Sequence, residues 1–355
     1  MPQCDPHAVF ECGVPCRPRS AMTHTAESGF HRKGNWRDIV PALILIFLAI
    51  STQAFAVASD SPQSLLAAGQ VDQAMQTLDR QIKTQPTAEA YNLLCRAYFD
   101  LGDWDAGIPY CERAVKLAPN NGLYHLWMGR IYGEKADHTN FLKAAGFAKK
   151  VPVQFELAVE FDPDNWQART DLAEFYLEAP GFVGGGEDKA LAQAAILQTL
   201  KPATAHWVKA RIAQKKKENA VAEQEYKASI QASNGGAREW VSLAGFYKRV
   251  GRLDDMEQVL NTVESRSLDQ PAALADAANM LFTTERSTRL AIRLVRRYLA
   301  TGPVEEWPAF KAHYLLGELL QRDGDLHGAI DQYHAALSMA QNFRPAQEAL
   351  DRAAR

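Results

Sequence analysis

The strongest constraint on this chain is a pattern that returns every 34 residues or so, about the length of one two-helix unit, from Ala88 onward. Count Ala88 as position 1 of the clearest unit, Ala88 to Asn121. Leu94 then falls at 7, Cys95 at 8, Tyr98 at 11, Gly102-Asp103-Trp104 at 15 to 17, Gly107 at 20, Ala114 at 27 and Pro119 at 32. Positions 4, 7, 8 and 11 share one face of a first helix, and 20, 24 and 27 face it from a second. Small residues at 8, 20 and 27 let the two axes approach. Gly102 supplies a helix-ending backbone geometry, Asp103 is placed to cap the second helix, and Pro119 stops that helix from running on. An all-α chain of helical hairpins is expected.

The same grammar recurs at Leu316, Gly317, Leu320, Gly324, Asp325, Leu326, Ala329, Tyr333 and Ala336, and at Leu243, Ala244, Tyr247, Gly251, Leu253, Met256 and Leu260. Degenerate units run from Ala203 to Ala232 and from Pro271 to Ala300, and a truncated one, Ser61 to Pro86, opens the array. Two units carry insertions. Gly122 to Asn165 has extra residues near 137–147, and Trp166 to Pro202 has a glycine-rich loop near 179–189 that contains Pro180, Phe182, Gly184, Gly185 and Gly186.

This spacing is similar to that of tetratricopeptide repeats. The resemblance implies a right-handed superhelix, an α-solenoid of about seven hairpins over residues 57–344, with a capping helix over 345–355 whose Glu348, Asp351, Arg352 and Arg355 suit a solvent-facing end. More narrowly, Tyr91-Asn92-Leu93-Leu94-Cys95-Arg96, the stretch Tyr124 to Ala136 and the loop from Ala179-Pro180-Gly181 to Lys189-Ala190 resemble exported bacterial tetratricopeptide proteins related to eukaryotic regulators of microtubule dynamics. That resemblance implies a non-enzymatic binding protein. It carries no catalytic residue across, and a microtubule role does not transfer to an exported bacterial chain. Pro152 departs from the pattern: inside a second helix it removes a backbone donor and should kink or restart that helix.

The N-terminal part reads as an export signal. Basic His31, Arg32, Lys33 and Arg37 precede the apolar run Ile39 to Ile50, and small residues follow to Ala54-Phe55-Ala56. Cleavage after Ala56, or two residues later after Ala58, places the mature protein in the periplasm or outside the cell. The alternative is an uncleaved anchor in the inner membrane formed by residues 39–58, so a membrane contact is expected only through this segment. Residues 1–56 are therefore an extension plus signal, with Met22 the better start, which leaves Cys4, Cys12 and Cys16 without structural meaning. With 47% hydrophobic and 23% charged residues the remainder has globular composition. A net charge of -3 lacks the basic excess that phosphate backbones require, which argues against a nucleic-acid partner.

Cys95 at position 8 and Cys111 at position 24 lie on facing sides of one hairpin. An oxidising compartment favours a disulfide between them, the alternative being two buried thiols. The glycine loop can present backbone N–H groups to an anion, with Asp188 capping the helix that follows, or can simply turn tightly over its neighbour. His327, Asp331 and His334 share one face of a helix at a metal-ligand spacing, but on its solvated side, so no metal and no cofactor is expected. Lys215-Lys216-Lys217 with Arg211 is read as a solvated basic cluster at a helix end. No Ser-His-Asp, Cys-His or His-Glu-x-x-His arrangement suggests catalysis.

Binding is expected on the concave face, where positions 2, 5, 9 and 12 of the first helices point. They supply Asn92, Arg96, Phe99, Leu126, Arg130, Thr170, Glu174, Arg238, Lys248, Tyr314 and Glu318. Arginine, amide and aromatic side chains suit an extended peptide or protein partner. A small molecule or glycan held at the inserted loop near Phe182 is the second reading. Intact mass of the protein made with its own signal should start near Val57 or Ser59, with Cys95 and Cys111 protected from alkylation until reduction. An uncleaved chain with both thiols reactive after denaturation would contradict export.

Overall fold

The computed structural model describes residues 61–266 and 270–354; the export segment, its cleavage sites and Cys4, Cys12 and Cys16 lie outside them. The hairpin from Ala88 shows how local sequence makes the repeat. Helix α3 (Ala88–Leu101) is capped by Thr87, whose side chain accepts from the Ala90 N–H, and ends at Gly102 in the left-handed region, φ +73°. Asp103 then accepts from the Ala106 N–H and opens α4 (Trp104–Leu117). The two helices are stapled by a Cys95–Cys111 disulfide with Cα atoms 5.1 Å apart, both residues buried.

The other helices follow in order: α1 (Pro62–Ala67) and α2 (Val71–Thr84) before this hairpin; then α5 (Gly122–Asp137), α6 (Phe141–Ala148), α7 (Lys150–Phe161), α8 (Trp166–Glu178), α9 (Glu187–Leu200), α10 (Pro202–Lys215) and α11 (Asn219–Ala232). They continue as α12 (Ala237–Arg249), α13 (Leu253–Val263), α14 (Ala272–Thr283), α15 (Thr288–Thr301), α16 (Ala309–Asp323), α17 (Leu326–Met339) and α18 (Arg344–Ala353). Among the described residues neighbours pair as eight antiparallel hairpins, against an expected seven or so, and the truncated opening unit, Ser61 to Pro86, is the short α1–α2 pair. No β-strand occurs among the described residues, only an isolated bridge between Val304 and Trp307.

The extra residues of the third unit fold as α6, and the partner of α5 is α7. Pro152 lies in the first turn of α7, where a missing N–H costs nothing, so the proline marks a helix restart and not a kink.

A solenoid was expected to have two ends. Instead the small rotation per repeat, summed over the array, brings the first hairpins against the last ones. Leu65, Leu66, Val71, Ala74 and Leu78 share one apolar cluster with Phe310, Ala336, Ala340, Phe343 and Ala346. The Gly69 backbone sits against Ala309, and the Gln341 N–H donates to Asp72 at 2.8 Å. Arg96 forms a two-pronged ion pair with Glu305, 209 residues away in sequence, and Lys311 reaches Asp100 at 3.4 Å. Phe343 and Ala346, at the start of α18, thus belong to this seam, while Glu348, Asp351 and Arg352 remain exposed.

Removing one partner of a desolvated ion pair strands the other charge. Glu305→Ala should therefore destabilise the fold by about 3 kcal/mol in chemical denaturation, with Arg96 left 7% exposed and without its carboxylate. Cys95→Ala with Cys111→Ala should cost a similar amount, about 3 kcal/mol for so short a loop.

Candidate binding site in the central cavity

The closed array surrounds two adjoining hollows. One, of about 540 Å³, is a polar chamber whose lining includes Arg96, Phe99, Leu126, Arg130, Thr170 and Arg238 from the expected concave set. The other, of about 550 Å³, is a more apolar cleft that holds Glu174 and is walled by Pro180 and Val183 of the glycine loop. Phe99, Arg130 and Asp171 line both and form the partition between them.

The partition is organised by Trp127. The guanidinium groups of Arg96, at 5.1 Å, and Arg130, at 4.8 Å, both lie over its ring, which meets Phe99 edge-on at 5.4 Å. Arg130 donates to Asp171 at 2.6 Å. Desolvation raises the Asp171 carboxyl above its usual range even so, with Arg130 opposing. Trp127 and Asp171 were missed by the sequence reading, although both occupy position 6 of their units. The signal was available: position 9 of one unit reaches position 6 of the next, as Arg96 does to Trp127 and Arg130 to Asp171. Trp166, Glu305 and Lys311 also line the chamber. Glu305 and Lys311 arrive only through ring closure.

Four expected groove residues, Asn92, Lys248, Tyr314 and Glu318, line neither hollow. Asn92 is buried beneath the surface, 2% exposed, with its Nδ2 lacking a protein partner. Lys248 donates to Thr283 at 2.8 Å, away from both hollows. Tyr314 packs edge-on to Phe343 at 5.6 Å, and Glu318 accepts from the Tyr333 hydroxyl at 2.8 Å and from Arg352 at 3.3 Å. In the last repeat α18 covers the positions that are open elsewhere, so Tyr314 and Glu318 are packing residues. Arg96 and Leu126 do line the chamber, but at 7% and 1% exposure they are wall more than contact surface. Thr170 spends its hydroxyl on the Trp166 carbonyl at 2.6 Å.

The glycine loop does not present an anion site. The N–H groups of Gly184, Gly185 and Gly186 donate to the carbonyls of Gly181, Pro180 and Tyr176 at 3.0, 3.2 and 2.8 Å. A Cβ on Gly185 would run into the Ala179 carbonyl, so the glycine is required by close backbone approach. Gly186, and not Asp188, occupies the cap of α9; Asp188 lies in the first turn, where it complements the helix dipole. Phe182 projects from this loop with 71% of its surface exposed.

The basic cluster is engaged, not merely solvated. Arg211 bridges Glu174 and Glu178 at 2.9 and 2.6 Å, Lys215 donates to the Leu177 carbonyl, and Lys216 pairs with Glu187 at 2.5 Å. These contacts tie α10 to α8 and α9. His327 and Asp331 stand 3.9 Å apart on the exposed face of α17, with His334 also exposed.

The repeat grammar of α3–α4 has a known counterpart: the tetratricopeptide-repeat family matches residues 88–121. The chain carries a tetratricopeptide repeat. Among curated proteins, sperm-associated antigen 1 of Rattus norvegicus is 31% identical over 107 residues, which cover 30% of this chain and only 11% of that relative. Among solved structures, a thermophilic tetratricopeptide protein of Thermus thermophilus, TTC0263, is 18% identical with a TM-score of 0.43, covering 52% of this chain and 96% of that one. A tetratricopeptide protein from Parabacteroides merdae is 16% identical with a TM-score of 0.37, covering 79% and 100%. The described residues fold as an all-α array of helical hairpins, of which α3–α4 carries the tetratricopeptide match.

Asp100, which lines the chamber, is 4% exposed, with one carboxyl oxygen toward Lys311 and the other without a partner among the described residues. Burial pushes its pKa to about 7, aided by Glu305 and opposed by Lys311 and Arg96. A carboxyl that binds its proton more tightly folded than unfolded favours the fold fully below about pH 4, and that contribution is lost as pH rises through about 7. The wild type should therefore lose stability relative to Asp100→Asn across this window and run parallel to it above. Denaturant midpoints of both proteins at a series of pH values would show it.

Proposed function

We propose that the protein is a non-enzymatic scaffold of the cell envelope that binds a segment of a partner protein in its central cavity. The observation that carries this reading is the convergence of Arg130, Arg238, Phe99, Trp127 and Trp166 on one chamber. Guanidinium groups paired with aromatic faces can take up carboxylates and side-chain rings of an extended segment without large reorganisation. Two features support the envelope. The basic, apolar and small-residue succession from His31 to Ala56 reads as an export signal, and the Cys95–Cys111 disulfide suits an oxidising compartment.

A second reading gains from ring closure. Polar groups spread over many repeats converge on a hollow of about 540 Å³, a size typical of small-molecule pockets, which favours a compact ligand such as a glycan. The two readings separate in one experiment. A photocrosslinking amino acid at Gln167, on the chamber wall, should give a discrete polypeptide adduct in cells, while the same group at exposed Val221 should not. No adduct at Gln167, together with a thermal shift by a soluble envelope metabolite, would replace the protein partner by a small ligand.

A further inference from the structure

The apolar cleft beside the chamber has a chemistry of its own, distinct from that of the polar chamber. Its floor is formed by Phe99, Val151, Phe155, Phe175, Pro180 and Val183. Its rim is acidic: Glu134, Asp137, Asp171, Glu174 and Glu178 all line it. Arg130 neutralises Asp171, and Arg211 is shared between Glu174 and Glu178. Among the described residues Glu134 has only the His138 ring as an ion-pair partner, at 3.7 Å, and Asp137, which is exposed, has none. Five carboxylates thus face two guanidinium groups around an apolar floor. Close by, the loop that supplies Pro180 and Val183 also projects exposed Phe182.

From this charge complementarity we infer that the cleft docks a cationic amphipathic segment of the partner protein, with aliphatic or aromatic side chains on the floor and lysine or arginine against Glu134, Asp137 and the Glu174–Glu178 pair. The inference rests on the scaffold reading above and adds the chemistry of the partner. An apolar floor without charge would accept many segments; the acidic rim selects basic ones and repels acidic ones. The two inserted elements account for the site's location. Helix α6 contributes Ala148 and the glycine loop contributes Pro180 and Val183, so the cleft exists where the repeat grammar is interrupted.

The test uses the full chain and two synthetic probes, a lysine–leucine amphipathic peptide and its glutamate–leucine counterpart, titrated by fluorescence anisotropy. The lysine peptide should bind at least about tenfold more tightly than the glutamate peptide and weaken with added salt. Charge reversal at two exposed or half-exposed positions, Glu134→Lys with Asp137→Lys, should remove at least about tenfold of that affinity while the circular dichroism spectrum stays unchanged. Equal binding of the two peptides, or lysine-peptide binding indifferent to the double reversal, would overturn the inference. So would a self-associating chain whose dimer dissociates on the same reversal, since a second copy would then be the occupant. If the adduct at Gln167 persists while the peptides show no discrimination, only the cationic character of the partner fails and the scaffold reading stands.

Discussion

Everything in this molecule depends on a seam that local sequence does not announce. Phe310 and Phe343, with ring centroids 4.9 Å apart, are buried against Leu65, Leu66 and Leu78 from the other end of the array. A stacked-repeat protein ordinarily relies on nearest-neighbour interfaces alone. Here an additional interface links the two ends, and each large apolar side chain buried in it contributes on the order of 1.5–3 kcal/mol. The Arg96–Glu305 and Asp100–Lys311 pairs line the inner edge of that interface. Their energetic value is mostly negative in character: a complete pair is close to neutral, while a broken one is costly, so they fix register more than they add stability.

The repeat itself was legible because its causes are local. Leu94, Gly102, Asp103 and Ala114 act within one hairpin, and the disulfide was foreseeable because positions 8 and 24 mirror each other about a single turn. Register across units was half legible. Arg96 and Arg130 were placed on the correct face, but Trp127 and Asp171, which they contact, lie one position away from the groove pattern and had no reason to be singled out until the units were stacked. The rest depends on separations of some two hundred residues. Nothing in Glu305 or Lys311 as sequence indicates that they finish a cavity opened by α3, and nothing in Tyr314 indicates that α18 will cover it.

The interruptions in the grammar act beyond their own units. Pro152 and the glycine loop each looked like a perturbation of its own unit. In three dimensions they meet: the Pro152 ring lies where a side chain on Gly184 would contact it, at 3.5 Å, so the restarted helix and the loop pack as one element beside the cavity. A tight turn and a helix break, both conformational solutions to chain-path problems, thereby shape the apolar wall.

The closed seam has a consequence for how this chain can vary. An open solenoid can gain or lose a unit and merely become longer or shorter, since each boundary resembles the others. In this ring the eight hairpins sum to the rotation that sets α1–α3 beside α16–α18. Deleting one hairpin would leave Leu66 and Phe310 on surfaces that no longer meet, exposing the apolar patch at both ends. Repeat number is therefore a structural constant of this molecule, fixed by geometry as firmly as strand number is in a closed barrel.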